Sequence, residues 1–173
     1  MTDHIDTIII GAGQAGLSTS YFLKQQNRDH IILEKASQAA QAWRNRWDSF
    51  TLITPNWMVR LPGAIYQGDD PDGFMTREEI VAYFESYVKK YNLPIKFNTT
   101  VTSVEPLGSG YYIRTEKGGY ISSNLIVAVG LYQQPKIPHF AKYLPPNIHQ
   151  IHSSEYKNPE TLPPGEVLVV GSG

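Results

Sequence analysis

The sequence predicts an α/β fold, a three-layer domain on a parallel sheet with a small antiparallel β-meander. Three observations predict it. A β-branched apolar run at 7–10 stops at the glycine-rich GAGQAG, a helical pattern follows at once, and a second apolar run at 31–33 ends on an acidic residue. Strand, glycine turn, helix and strand within about thirty residues make a βαβ unit.

Each element has a local reason. The run at 7–10 is short and continuously apolar, as a strand buried on both faces is. Over 14–25 the apolar positions Leu17, Tyr21 and Phe22 follow helical spacing. Residues 31–33 form the next strand, closing at Glu34, and a short helix is expected over 39–43. The stretch to Gly73 is loop-rich, with Pro55, Pro62, Gly63, Gly68 and Pro71, and irregular stretches of that length are usually functional. Thr76 and Glu79 make a capping box, starting a helix over 77–91 that buries Ile80, Phe84, Tyr87, Val88 and Tyr91 and stops at Asn92 and Pro94. Short strands at 95–97, 100–105, 111–115 and 120–122 read as the meander. A buried strand at 125–129 ends in Gly130, a proline-rich connection follows, and 167–170 repeats the opening strand pattern before Gly171 and Gly173.

Composition bounds the function. The chain has 173 residues, 41% of them hydrophobic, enough for a core but not for two full domains. A net charge of −1 gives no long-range attraction to nucleic acid or an anionic membrane. The absence of cysteine excludes a redox-active Cys pair, a Cys nucleophile and a thiolate zinc site within these residues. No apolar run is long enough to span a membrane, and MTDHID is too acidic for a signal sequence, so a cytoplasmic protein is expected. His149 and His152 have i, i+3 spacing but no carboxylate or cysteine cluster beside them, so they read as linker residues and no metal site is expected. Trp47, Trp57, Tyr111 and Tyr112 read as core or cofactor-edge packing rather than as a substrate cage.

The chemistry lies in the glycine turn. Gly11 permits the tight turn, Gly13 lets a pyrophosphate approach the backbone, and Gly16 allows close helix–strand packing. The N–H groups that open the helix at Gln14, Ala15 and Gly16 favour phosphate. Glu34, 18 positions after Gly16, is placed to accept from both hydroxyls of an adenosine ribose and to repel a 2′-phosphate, favouring FAD or NAD over NADP at this site. Lys35 beside it is both a candidate cofactor contact and an ordinary surface charge. VLVVGSG at 167–173 copies the strand-to-glycine half of the motif, making Gly171 and Gly173 candidates for a second dinucleotide site. Two such sites are what a flavin enzyme reduced by a nicotinamide needs.

In this order, GAGQAG, AWRNRWDSFTLITP at 42–55, IVAVG at 126–130 leading to QQPKIP, HSSEY at 152–156 and VLVVGSG resemble the class B flavin-dependent monooxygenases: flavin-containing monooxygenases, YUCCA-type enzymes, Baeyer–Villiger relatives and bacterial flavoproteins. The resemblance implies an FAD-binding Rossmann-like domain over 1–135, a linker over 136–165 and the start of an NAD(P)-binding domain at 166–173. It implies that Gly11, Gly13, Gln14, Ala15 and Gly16 hold the FAD pyrophosphate and Glu34 the ribose. Trp43 and Arg44 would lie along the cofactor, Thr54 beside the isoalloxazine, Val101 at the adenine edge and Gly130 at the turn into the linker.

The implied activity uses NADPH (or NADH) to reduce FAD, then inserts oxygen from O2 into a small organic substrate through a flavin C4a-hydroperoxide. No catalytic side chain is identified. The family signature F-x-G-x-x-x-H-x-x-x-W/Y is half present: Phe140 lacks its glycine, and His152 with Tyr156 follows at 12 positions instead of six. Where many members carry an asparagine near the flavin, this chain reads LITPN, with Pro55 at the matching place and Asn56 beside it. The other readings are a flavin-dependent dehydrogenase or reductase and a non-catalytic dinucleotide-binding module. Because members of the family complete the FAD domain with a later segment, the expectation is an N-terminal part of an enzyme about twice as long. Weak or absent FAD binding and no turnover are expected of the 173 residues alone.

Overall fold

The computed structural model describes residues 3–131 and 134–171. Strand β1 (Asp3–Ile10) is central, with Ile8 and Ile9 wholly buried on opposite faces. It pairs in parallel with β2 (His30–Leu33) on one side and β8 (Gly118–Val127) on the other, Ile10 lying opposite Leu33 and Val127. β5 (Ile95–Lys96) extends the parallel part beyond β2, while β7 (Gly110–Thr115) and β6 (Val101–Leu107) add antiparallel to β8. The order is β5-β2-β1-β8-β7-β6, and a separate hairpin joins β3 (Arg60–Leu61) to β4 (Ala64–Ile65).

Helices α1 (Gln14–Gln25) and α3 (Arg77–Tyr91) cover one face, where Ile9 and Ile32 meet Leu17, Ile80, Phe84 and Tyr87. On the other face Ile8 and Leu33 meet Ile113 and Tyr120 from the antiparallel strands, which continue the same sheet. α3 begins and ends where its signals stand. Thr76 Oγ1 accepts from the Glu79 N–H at 3.3 Å, and the Glu79 carboxylate accepts from the Thr76 N–H at 2.8 Å, an arrangement worth ~0.5–2 kcal/mol. Asn92 closes the helix in the left-handed region.

Tyrosines of α3 hold the β3–β4 hairpin through its backbone. Tyr87 donates to Pro62 O at 2.8 Å, Tyr91 to Gly63 O, and Tyr83 accepts from the Leu61 N–H at 3.0 Å. Gly63 has φ +75°, and a Cβ there would stand 2.6 Å from the Tyr21 hydroxyl. Burial pushes the Tyr83 and Tyr87 hydroxyls above the usual phenol range, so they stay protonated donors.

Four local expectations change. The strand expected at 95–97 within the meander is β5, which pairs in parallel with β2 at the opposite edge of the sheet. The short helix is α2 (Gln41–Arg44), preceded by Ala40 at φ +62°. The strands expected at 120–122 and 125–129 are one strand, β8, so the meander shares its last strand with the parallel sheet. The run 167–170 forms no strand among the described residues, and Val167, Leu168, Val169 and Val170 are all exposed. An isolated strand cannot satisfy its backbone, and no described strand lies beside this one to pair with it.

Candidate functional site

The C-terminal ends of β1, β2 and β8 converge on the glycine turn. Gly11 has φ +103°, and a Cβ there would stand 2.6 Å from Ala128 O. A Cβ on Gly16 would stand 2.0 Å from Gly11 O, so the first turn of α1 can sit this close to β1 only with glycine. Gly13 differs. Its φ is −82° and no atom lies within 4 Å of where its Cβ would be, so the fold itself does not require glycine there. α1 also starts with no side-chain cap and no acidic residue in its first turn, leaving the positive end of its dipole open. Gln14 and Ala15 are exposed beside it.

Glu34 reaches back across this turn. One carboxylate oxygen accepts from the Ala12 N–H at 2.7 Å and the other from the Ala36 N–H at 2.8 Å. Each oxygen keeps capacity for a further donor. The backbone of Glu34 is fixed as well, its N–H donating to Lys96 O and its carbonyl accepting from the Thr99 N–H. Asn98 donates to Ala36 O in the same turn, so Val101, half-buried at the start of β6, lies two residues past a direct link to Glu34. Asn98 adopts φ +51° and Thr99 is buried; neither stood out in the sequence, although an asparagine in the left-handed region is a familiar turn residue. Gly130, at φ +76°, follows Ala128, whose N–H donates to Ile10 O.

Trp43 packs on Phe50 and Phe84 at 5.8 and 6.3 Å between ring centroids. Arg44 forms an ion pair with Glu85 of α3 and donates through Nε to Ala39 O at 3.3 Å. Both are therefore engaged with α3. Lys35 and Thr54 are exposed, and Gly171, exposed, has φ +103°. Gly173 lies outside the described residues. Asn56, beside Pro55, is buried and donates to Asp70 O at 2.9 Å, while its Oδ1 meets no partner. Trp57 is half exposed, outside the core, whereas Trp47 packs edge-on against Phe50 at 5.1 Å. His152 Nδ1 accepts from the Ser154 N–H at 3.1 Å within its own turn. Two recessed surfaces lie elsewhere, one lined by Thr7, Arg28 and Asn124, the other by Arg44, Arg77 and Glu85. Among the described residues no helix is long and apolar enough to cross a membrane.

Comparison with known proteins gives consistent matches. The model of the family described as pyridine nucleotide-disulphide oxidoreductase matches residues 8–173. The uncharacterized oxidoreductase CzcO of Bacillus subtilis is 45% identical over 168 residues, which cover 97% of this chain and 48% of that protein. The probable indole-3-pyruvate monooxygenase YUCCA1 of Arabidopsis thaliana is 34% identical over 173 residues, covering 96% of this chain and 41% of that protein. A flavin-containing monooxygenase from Stenotrophomonas maltophilia superposes with a TM-score of 0.84 at 28% identity, over 91% of this chain and 48% of that one. The chain spans about half the length of the curated relatives it matches.

Proposed function

The chain belongs to the pyridine nucleotide-disulphide oxidoreductase family, and from that premise we propose that it is the FAD-binding part of an NAD(P)H-dependent flavoprotein monooxygenase. The observation that carries the reading is Gly13. Two glycines of the turn answer to contacts inside the protein, but the third faces open space at an uncapped helix start, as a site approached by a pyrophosphate requires. The similarity to a flavin-containing monooxygenase and to YUCCA1 supports the choice of flavin and of oxygenation. The family also takes its name from disulphide reductases, and these 173 residues contain no cysteine from which a redox pair could come.

In this reading residues 1–135 bind FAD, 136–165 link, and 166–173 begin the NAD(P) domain. The N–H groups at Gly13, Gln14, Ala15 and Gly16 receive the pyrophosphate. Glu34, already oriented by two backbone N–H groups, accepts from the ribose hydroxyls, and Val101 borders the adenine. Gly11 and Gly130 shape the ledge; Trp43, Arg44 and Thr54 border the cofactor further along, and Lys35 adds a positive charge at its adenosine end. Gly171 and Gly173 belong to the nicotinamide cofactor's own turn. FAD held there would supply the redox chemistry, accepting electrons from a reduced nicotinamide for use with O2 and a small organic substrate.

The test is calorimetric titration of FAD into the 173-residue chain, at concentrations up to millimolar, alongside Gly13→Val. Weak saturable binding that the variant loses, with its melting temperature unchanged, is expected. Equal binding by the variant, or a full-length protein that takes up no FAD, overturns the cofactor reading. For the full-length protein, incorporation of labelled oxygen from O2 into product is expected, and nicotinamide oxidation that yields hydrogen peroxide alone would sink the monooxygenase assignment.

A further inference from the structure

Residues 134–156 run mostly exposed, but at 157–158 the chain is fastened to the loop that follows Trp43, more than a hundred residues away in sequence. Lys157 O accepts from the Asp48 N–H at 2.8 Å, and Lys157 Nζ donates to Asn45 O at 2.6 Å. The Asn158 amide is used at both ends: Nδ2 donates to Asp48 Oδ2 at 2.6 Å, and Oδ1 accepts from the Thr161 N–H at 3.2 Å. The other Asp48 oxygen accepts from Arg77 Nη1 at 2.6 Å. Arg77 is itself oriented by Glu78, at 2.7 Å, and donates to Arg46 O. One carboxylate thus joins three pieces of chain: the loop at 45–48, the first turn of α3, and the segment at 157–158.

We propose that Asp48, Arg77, Lys157 and Asn158 form a strap that pins the chain at 157–158 to the loop at 45–48, which follows Trp43 and Arg44, and that the Asp48 carboxylate is its shared anchor. A strap differs from ordinary packing in what it controls. Charge-assisted hydrogen bonds between mostly polar side chains bury little apolar area, so losing them frees the segment without dissolving the core. The strap stands on these bonds alone and does not depend on the flavin reading.

Limited trypsin digestion of the 173-residue chain, with each cleavage followed by mass spectrometry, tests it. Cutting after Lys157 requires its ammonium to leave Asn45 O and enter the protease's acidic pocket, so the rate reports opening of the strap. Asn158→Ala, which touches only the strap side, and Asp48→Ala should each raise that rate about tenfold. Asp48→Asn, which keeps one acceptor oxygen, should fall between. The double variant should gain less than the product of the two, because both remove one shared contact. Cutting after Lys117, in the β7–β8 turn, should not change. Rates after Lys157 within twofold of the parent in both single variants overturn the proposal, as does equal acceleration at Lys117, which would make these residues holders of the whole fold.

Discussion

Replacing Glu34 by glutamine isolates one carboxylate with two backbone partners. The two oxygens accept from Ala12 and Ala36 at 2.7 and 2.8 Å. A glutamine keeps one acceptor oxygen and places an NH2 group where the other stood, so one of those N–H groups faces a donor. Hydrogen bonds to a charged acceptor contribute about 1.5–3 kcal/mol, and a donor left unpaired costs a similar amount where it is shielded from water. Glu34 is half-buried, so a total destabilisation of about 1.5–3 kcal/mol is expected, roughly 3–12 °C in melting temperature for a chain of this size. Urea unfolding followed by far-ultraviolet circular dichroism measures it, with an unchanged m-value showing that the comparison is sound. A Glu34→Gln chain within about 0.5 kcal/mol of the parent would refute the claim that this side chain braces the glycine turn, since changes of that size are ordinary for surface substitutions.

Gly16→Ala places a methyl group 2.0 Å from Gly11 O and 3.4 Å from Ile9 Cγ2, so α1 must shift off β1 at a cost of about 1–3 kcal/mol; a melting temperature equal to the parent's would show that the helix start yields freely. Acid should loosen the molecule through Asp48 and Asp6. Asn158 and then Arg77 hold the Asp48 carboxyl below the usual aspartate range, and Arg28 does the same for Asp6. Because both folded values are depressed, their stabilisation is complete above the unfolded pKa, about 3.9, and is lost as pH falls from there through the folded values. Melting temperatures from pH 6 to pH 2.5 should therefore drop most below pH 4, and the drop should be shallower in Asp48→Asn; parallel curves for the two proteins would contradict it.

Local chemistry was legible in the residues, and pairing was not. GAGQAG and Glu34 could be placed because turn, helix start and acidic strand end lie within one stretch of chain. Thr76 and Glu79 mark the start of α3 for the same reason: the partners stand three positions apart. β8 was read as two strands because Ser122, Ser123 and Asn124 interrupt its apolar pattern, yet Ser122 lies opposite Ile5 and Asn124 opposite Thr7, and the ladder with β1 runs on through them. At 167–170 apolar character was legible, but strand formation depends on a neighbour that no sequence pattern supplies. The partners of Asp48 could not be foreseen at all. Asn158 lies 110 residues away, and one exposed aspartate looks like any other until the chain has folded.

The three glycines of the turn keep different company, and that gives a way to read their loss. Positions 11 and 16 are held by the protein's own architecture, so any descendant that still folds this way has reason to retain them. Position 13 touches nothing that would demand glycine and, in the reading proposed above, answers only to a guest. A lineage that gave up its nucleotide would be free to drift there first, and side chains at 13 beside intact glycines at 11 and 16 would be the mark of a scaffold that has outlived its cofactor.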